Sequence, residues 1–238
     1  MSNTPSIGAW TGEWAERNRI PVEYSKQIGS TNSAAKDSRK KGTFLLVTDH
    51  QTQGRGRGGN TWTDAKPGTC LLSSWVFTLQ APVQPIAAPL IGLALYEAAQ
   101  QVWPELDWSV KAPNDLYLLD KKIAGLLLET VSVGAEHRFV AGLGMNIAAH
   151  PDVPGAGPID EYAREPVSKD QLHGFLDHWW LQLQNALPHI THSVMPFEST
   201  CQLLVALNRY PKLEKKFDEV QPDGSLRTGH HVTPWTAL

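Results

Sequence analysis

A loop rich in glycine and arginine carries the clearest chemistry in the sequence. It reads Gly54-Arg55-Gly56-Arg57-Gly58-Gly59 and separates two apolar stretches. Glycine allows backbone N–H groups to approach an anion closely, and the arginine guanidinium binds carboxylate or phosphate through paired hydrogen bonds. The P-loop pattern G-x-x-x-x-G-K-[ST] does not occur. The composition therefore predicts a loop that closes on a phosphate or an adenylate.

The glycines allow other interpretations. They satisfy G-x-G-x-x-G, but that motif holds a dinucleotide only where a strand leads directly into a helix. Here the glycines lead into NTWTDAKPG, which has no apolar helical stripe. Nucleic-acid-binding arginine–glycine segments are disordered tracts, whereas this segment is single and lies between apolar strands. A plain surface loop stays open, and Trp62 is suited either to an adenine or to the core.

A second group of polar residues follows further along the chain. Lys111-Ala112-Pro113-Asn114-Asp115 and Lys122-Ile123-Ala124-Gly125 occur at the ends of neighbouring strand candidates. Taken singly, Pro-Asn-Asp indicates a turn and the lysines a solvated hairpin tip. Beside the arginine–glycine loop, the lysine, amide and carboxylate groups could neutralise a carboxylate and a triphosphate with its metal. No dedicated metal-binding cluster is recognisable, since Cys70 and Cys201 lie far apart.

Length and charge limit the class of protein. The 238 residues suit one large domain, or one domain with a small appendage. A formal charge of −3 lacks the basic excess that is usual for DNA-binding proteins, so no DNA partner is expected. Neither a signal peptide nor an apolar run of about 18 residues is found, so no membrane partner is expected. With only two cysteines, the sequence favours the cytoplasm.

The elements that position these residues follow from the apolar pattern. Strands are predicted at 22–27, 43–48, 69–79, 108–111, 116–119, 123–133 and 138–148. Helices are predicted at 8–18, from Ser30-Thr31-Asn32 to Gly42, and from the segment with Pro82, Pro85 and Pro89 to about Val102. A fourth helix begins at a Ser168/Gln171 capping box, and a fifth, short helix follows Phe197. Strands grouped with unevenly placed helices predict an α+β fold with a mixed or antiparallel sheet. The polar tail is either a small satellite domain or a loose end.

In order and spacing, these motifs resemble the biotin protein ligase family over residues 24–148. The motifs are Ser30-Thr31-Asn32, Gln51 with Gly54-Arg55-Gly56-Arg57 and Trp62, Pro113-Asn114-Asp115-Leu116-Tyr117, Lys122-Ile123-Ala124-Gly125 and Gly142-Leu143-Gly144-Met145-Asn146. The resemblance implies an α+β catalytic domain with a mixed, largely antiparallel sheet and flanking helices, related in fold to lipoate ligases. It assigns 1–197 to that domain and 198–238 to a short or atypical C-terminal segment.

The resemblance also implies roles for individual residues. The biotin-binding set is Ser30, Thr31, Asn32, Gln51, Arg55, Gly56, Arg57, Lys122 and Gly125. The ATP-binding set is Arg57, Trp62, Asn114 and Asn146. Lys122, Arg57 and Asp115 would be catalytic. Lys122 would reach the biotin carboxylate and the α-phosphate, Arg57 would hold the phosphate of the acyl-adenylate, and Asp115 would assist the acceptor amine.

The activity implied is ATP-dependent formation of biotinoyl-5'-AMP, with Mg²⁺ accompanying ATP, and transfer of biotin to a lysine of a biotin carboxyl carrier domain. The alternatives are a lipoate or octanoate ligase or transferase of the same fold, and a catalytically silent biotin- or nucleotide-binding protein. Gly58, Asn60 and Ala112 depart from the family pattern, which has further arginines and an aromatic residue there. No winged helix-turn-helix motif is recognisable, so a repressor role is not expected. The oligomeric state stays open, a homodimer included.

Overall fold

The structure is a computed structural model that describes residues 6–238. In chain order its elements are α1 (Ile7–Arg17), β1 (Val22–Ser25), α2 (Thr31–Asp37), β2 (Phe44–Thr48), β3 (Cys70–Leu79), α3 (Ala87–Val102), β4 (Trp108–Lys111), β5 (Asp115–Leu118), β6 (Lys121–Val133), β7 (Glu136–Asn146), α4 (Lys169–Ala186), α5 (Phe197–Asn208), β8 (Glu219–Val220), β9 (Leu226–Thr228) and β10 (His231–Thr233). Short 3₁₀ turns lie at Arg57–Gly59, Ile159–Glu161 and Trp235–Ala237. The predicted strands and helices are present, with ends shifted by a few residues, except that α2 ends well before the predicted Gly42.

The described chain forms two compact units. The first holds the residues up to Ala81 together with Ile123–His173, and the second holds Pro82–Lys122 together with Gly174–Leu238. The predicted boundary after residue 197 is a different division, based on the family's domain pattern, and it stays a prediction. None of the helices in the described part of the chain is long and apolar enough to cross a membrane.

The first unit is built on strands in the order β1-β2-β3-β7-β6. The β1–β2 pair is parallel, with Val22 opposite Leu45, and the other pairs are antiparallel. On one face α1 packs Trp14 against Trp75, with ring centroids 5.7 Å apart. The opposite face carries α2, whose Ala35 is buried against residues of β2, β3 and β7. This arrangement confirms the predicted α+β class with a mixed, largely antiparallel sheet.

Helix α2 ends earlier than its sequence indicated. Ser30 caps its first turn, as predicted, but the helix stops at Asp37, and Ser38 is already extended at ψ 141°. The buried Arg138 of β7 donates to the carbonyls of Ala35 and Lys36 at 3.2 and 3.1 Å, and also to those of Ser38 and Lys40. A cation therefore stabilises the negative end of this helix. The prediction that the helix continues to Gly42 was wrong.

Long helices and an aromatic core organise the second unit. Trp103 lies between Trp108 and Phe175, with ring centroids 6.2 and 5.7 Å away. The helical stripe predicted for α4 is buried as far as Ala186, Trp179 and Leu183 included, and Leu187 is half-buried. At the start of that helix Ser168 N donates to Gln171 Oε1 at 3.0 Å and Gln171 N donates to Ser168 Oγ at 3.2 Å, which confirms the predicted capping box.

The polar tail is ordered as a small antiparallel sheet. Its strands lie in the order β10-β9-β8, with His231 opposite Thr228. Asn208 at the end of α5 ties the helix to this segment, since its side chain donates to Phe217 O and accepts from Phe217 N, each at 2.8 Å. The loose-end alternative for the tail is therefore wrong.

Candidate functional site

A buried polar cluster lies at the N-terminus of α2, in the first unit. Thr31 N donates to Gln51 Oε1 at 2.8 Å, and Thr31 Oγ1 lies 3.2 Å from the same oxygen. Ser74 Oγ on β3 lies 2.8 Å from Thr31 Oγ1. Ser30, Thr31 and Asn32 are each at most 5% exposed. The structure thus brings Ser30, Thr31, Asn32 and Gln51 together, as the sequence predicted.

Two glycines of β7 make room for side chains above the sheet. A Cβ atom on Gly142 would lie 2.1 Å from Asn32 Oδ1, and one on Gly144 would lie 2.5 Å from Trp62 Cε2. Alternate residues of a strand share one face, so both glycines form the floor beneath Asn32 and Trp62. Gly125 of β6 is the cross-strand partner of Gly144 and extends that floor. Any side chain at Gly142 or Gly144 would displace a predicted ligand-binding residue.

The arginine–glycine loop folds back on itself above this floor. Gly56 N donates to Asn60 O at 2.7 Å, and Trp62 N donates to Gly54 O at 3.1 Å. Gly58 and Gly59, at φ +64° and +84°, turn the tip of the loop in the left-handed region that favours glycine. Arg57 opens the 3₁₀ turn at this tip. The loop therefore has a hydrogen-bonded base and an exposed glycine tip.

A single carboxylate, that of Glu129 on β6, connects this loop to α2. Its oxygens lie 2.7 Å from Lys36 Nζ and 3.0 Å from Asn32 Nδ2. Arg55 binds it with both terminal nitrogens, each at 3.1 Å. Burial alone would raise the pKa of Glu129, but hydrogen bonds from Lys36 and Asn32 and the charges of Lys36 and Arg55 outweigh it and lower the pKa. Glu129 is therefore anionic at neutral pH.

Asp64, which follows the arginine–glycine loop, contacts His50 and Gln51, which precede it. Its Oδ2 lies 2.8 Å from His50 Nδ1 and accepts from Gln51 N at 3.1 Å. The Asp64 side chain is only 5% exposed. This carboxylate therefore fixes the backbone of Gln51 where the Gln51 side chain meets Thr31.

Asn146 lies at the end of β7 and is held by protein groups. Its Nδ2 donates to Gly157 O at 3.3 Å, and Cys70 Sγ lies 3.6 Å from its Oδ1. Burial raises the pKa of the Cys70 thiol, which keeps it protonated. Asn146 is 2% exposed. Its predicted role on the nucleotide side stays a prediction.

The second unit contains the remaining predicted residues, at the β4–β5 hairpin and the start of β6. Lys122 Nζ lies 2.7 Å from Asp115 Oδ1, and the two side chains are 33% and 17% exposed. Asp115 is the cross-strand partner of Lys111. Asn114 lies in the turn between these strands, where the Ala112–Pro113 bond is cis and Trp235 Nε1 donates to Pro113 O at 3.0 Å.

An aromatic pair shields the other side of this hairpin. Lys111 Nζ lies 5.6 Å from the ring centroid of Tyr117 and 5.9 Å from that of Tyr210, within the range of cation–π attraction. Burial, together with the charge of Asp115 and the proximity of Tyr210, raises the pKa of Tyr117 to about 12. The Tyr117 phenol beside Lys111 is therefore neutral at physiological pH.

Each unit thus gathers one part of the predicted set. The first unit contains Ser30, Thr31, Asn32, Gln51, Arg55, Gly56, Arg57, Trp62, Gly125 and Asn146. The second unit contains Asn114, Asp115 and Lys122. Sequence reasoning missed Glu129 and Asp64. A glutamate inside the apolar strand IAGLLLETV was the available signal for Glu129. Within the described residues, no group of three or more His, Cys, Asp or Glu could hold a metal ion.

Similar proteins are found among known families and characterised ligases. The model of the biotin/lipoate A/B protein ligase family matches residues 24–146. A biotin–[acetyl-CoA-carboxylase] ligase from Mycobacterium tuberculosis is 32% identical over 157 residues, 61% of this chain and 54% of its own length. A bifunctional ligase/repressor from Salmonella typhimurium is 38% identical over 125 residues, 51% of this chain and 39% of its own. The matched region is about half of the first protein's length and less of the second's.

Solved structures agree on the fold. The biotin protein ligase from Aquifex aeolicus in complex with biotin and ATP superimposes with a TM-score of 0.69 at 21% identity, covering 90% of this chain and 94% of that one. The Leishmania major enzyme in complex with biotinyl-5-AMP gives 0.60 at 23% identity, covering 87% and 93%. At such identities the likeness concerns the fold. The family match spans more than half of the chain and includes every residue of the predicted site, and the chain therefore belongs to the biotin/lipoate A/B protein ligase family.

Proposed function

We propose that this protein is an ATP-dependent biotin protein ligase. In the first half-reaction a biotin carboxylate oxygen attacks the α-phosphorus of ATP, which releases pyrophosphate and forms biotinoyl-5'-AMP. In the second, a lysine amine of a biotin carboxyl carrier domain attacks the acyl carbon, and AMP leaves. The names of the curated relatives point to this activity rather than to lipoate chemistry.

The observation that carries the proposal is the polar cluster around Thr31 and Gln51. Because Gln51 Oε1 accepts from Thr31, its amide nitrogen is the end that can donate to a ligand. Biotin's ureido ring offers one carbonyl acceptor and two N–H donors, which match an amide donor and hydroxyl acceptors. A lipoyl or octanoyl chain has no polar head to satisfy these buried groups, and unsatisfied polar groups oppose binding.

The adenylation step needs cations, because it brings a carboxylate toward a triphosphate. Lys122 is assigned to the biotin carboxylate and the α-phosphate, and Asp115, at 2.7 Å, orients its ammonium group. Arg57, Trp62, Asn114 and Asn146 are assigned to the nucleotide. Since no acidic or histidine cluster occurs in the described chain, Mg²⁺ would enter bound to the phosphates of ATP, the usual mode for this ion.

Calorimetry with biotin, lipoate and octanoate tests the proposal. Biotin should bind at least about a hundredfold more tightly than the other two, because a polar site rejects ligands that leave its groups unpaired. Gln51→Leu should remove most of this preference, whereas Gln53→Leu, on an exposed loop residue, should not. Tighter binding of lipoate or octanoate would favour the lipoate branch of the family. Binding of biotin without any release of pyrophosphate from ATP would favour a catalytically silent biotin-binding protein.

A further inference from the structure

Arg55 of the arginine–glycine loop is held by the carboxylate of Glu129 on β6. Arg55 places both terminal nitrogens on Glu129, at 3.1 Å each, which is the two-pronged geometry of strong guanidinium–carboxylate pairs. Arg57 lies at the tip of the loop, where it opens the 3₁₀ turn Arg57–Gly59. The terminal nitrogens of Arg55 are therefore committed before any phosphate arrives.

Glu129 also fixes the amide of Asn32. Asn32 Nδ2 donates to Glu129 Oε2 and to Leu127 O, each at 3.0 Å, while its Oδ1 lies 2.5 Å from Ser74 Oγ. An anionic carboxylate and a backbone carbonyl can only accept hydrogen bonds, so Glu129 and Leu127 O together hold the NH₂ end of the Asn32 amide toward β6. A neutral amide at position 129 would weaken this selection.

We propose that Glu129 is a positioning residue for the arginine–glycine loop. It anchors Arg55, and with it the hydrogen-bonded base of the loop, beside α2 and β6. The side chain of Arg55 accordingly acts as a loop anchor, and its contribution to the ligand comes through the backbone. The part that concerns biotin rests on the proposed function, whereas the anchoring of the loop does not.

Glu129→Gln tests the anchor without a change in size. In the ligand-free protein, hydrogen exchange at the amides of Gly56, Asn60 and Trp62, which close the loop, should accelerate by about tenfold, as expected for the loss of a charged hydrogen-bond pair. The amides of Gly58 and Gly59 should change little. Arg55→Met should produce the same pattern, and the double variant should exchange no faster than either single variant. Glu16→Gln, on the exposed side of α1, is the matched control.

Steady-state kinetics separates positioning from a general loss of stability. Both variants should raise the KM for biotin by about tenfold while kcat stays within about twofold, because a misplaced loop weakens ligand binding before it affects the chemical step. The KM for ATP should stay near that of the parent. Unchanged exchange in Glu129→Gln would overturn the proposal. So would a selective rise in the KM for ATP in Arg55→Met, since that would make Arg55 a phosphate ligand. If the parent protein has no activity with biotin, the proposed function is wrong. The hydrogen-exchange measurement would still test whether Glu129 anchors the loop.

Discussion

Lys122→Ala should abolish biotin-dependent pyrophosphate release while the protein remains folded. Lys122 Nζ lies 2.7 Å from Asp115 Oδ1, and its side chain is 33% exposed. The ammonium group is thus oriented by a carboxylate and still reachable by a ligand. Its removal would leave two anions, the biotin carboxylate and the α-phosphate, to approach each other without this cation.

The expected size of the effect follows from charged hydrogen bonds. Loss of one such bond costs about 1.5–3 kcal/mol, or about 10- to 150-fold in the affinity for biotin. The loss in kcat/KM should be greater, about 10³-fold or more, because charge stabilisation is strongest in the transition state. Calorimetry gives the first value, and release of labelled pyrophosphate from ATP gives the second.

Two controls make this result specific. Lys121→Ala removes a lysine from the adjacent strand position, which points to the opposite face, and should leave both values within about twofold. Lys122→Arg keeps the charge and should retain more activity than the alanine variant. Pyrophosphate release by Lys122→Ala at the parent rate, from a protein with an unchanged unfolding transition, would refute the assigned role.

Three further predictions follow from other parts of the structure. Arg57→Gly should change biotin affinity by less than about threefold but speed the escape of biotinoyl-AMP by about tenfold or more, because a guanidinium on the phosphate holds the intermediate. Asn60→Arg, at a position with φ −64°, should slow that escape. Equal rates of escape from the parent and both variants would show that the loop arginines do not hold the intermediate. Gly142→Ala should weaken biotin binding by about tenfold or more, since its Cβ would lie 2.1 Å from Asn32 Oδ1, while Gly92→Ala in α3, with nothing within 4 Å of its Cβ, should leave binding unchanged. The pKa of Tyr117 is raised to about 12, so its contribution to stability is complete below pH 10 and is lost as pH rises toward 12. Between pH 10 and 12 the free energy of unfolding in urea should therefore fall less steeply with pH in Tyr117→Phe than in the parent. The same pH dependence in both proteins would contradict the raised pKa of Tyr117.

Local signals predicted most of the fold. Apolar runs determined the strands, and the Ser168/Gln171 pair marked the start of α4 because a capping box acts within one helical turn. The end of α2 could not be predicted in this way. It depends on Arg138, which reaches Ala35 from about a hundred positions away in sequence. The short strands β8–β10 carry few apolar residues, and contacts such as those of Asn208 with Phe217 organise this segment.

The candidate site shows the same division between local and long-range information. Ser30-Thr31-Asn32 and Gln51 were identified by motif, and the structure places them in one buried cluster. Glu129 escaped notice because its importance comes from Lys36, Asn32 and Arg55 converging on it from distant positions. The pairing of Arg55 with Glu129 could not be predicted either, because the two residues lie 74 positions apart in the sequence.

The proposed activation of biotin by ATP can be measured directly. Incubation with ATP, Mg²⁺ and biotin should yield pyrophosphate and a bound product with the mass of biotinoyl-5'-AMP, and added carrier domain should then become biotinylated on a lysine. Lipoate and octanoate in place of biotin should yield neither product. Formation of lipoyl- or octanoyl-AMP in preference to biotinoyl-AMP, or the absence of pyrophosphate with biotin, would contradict the account.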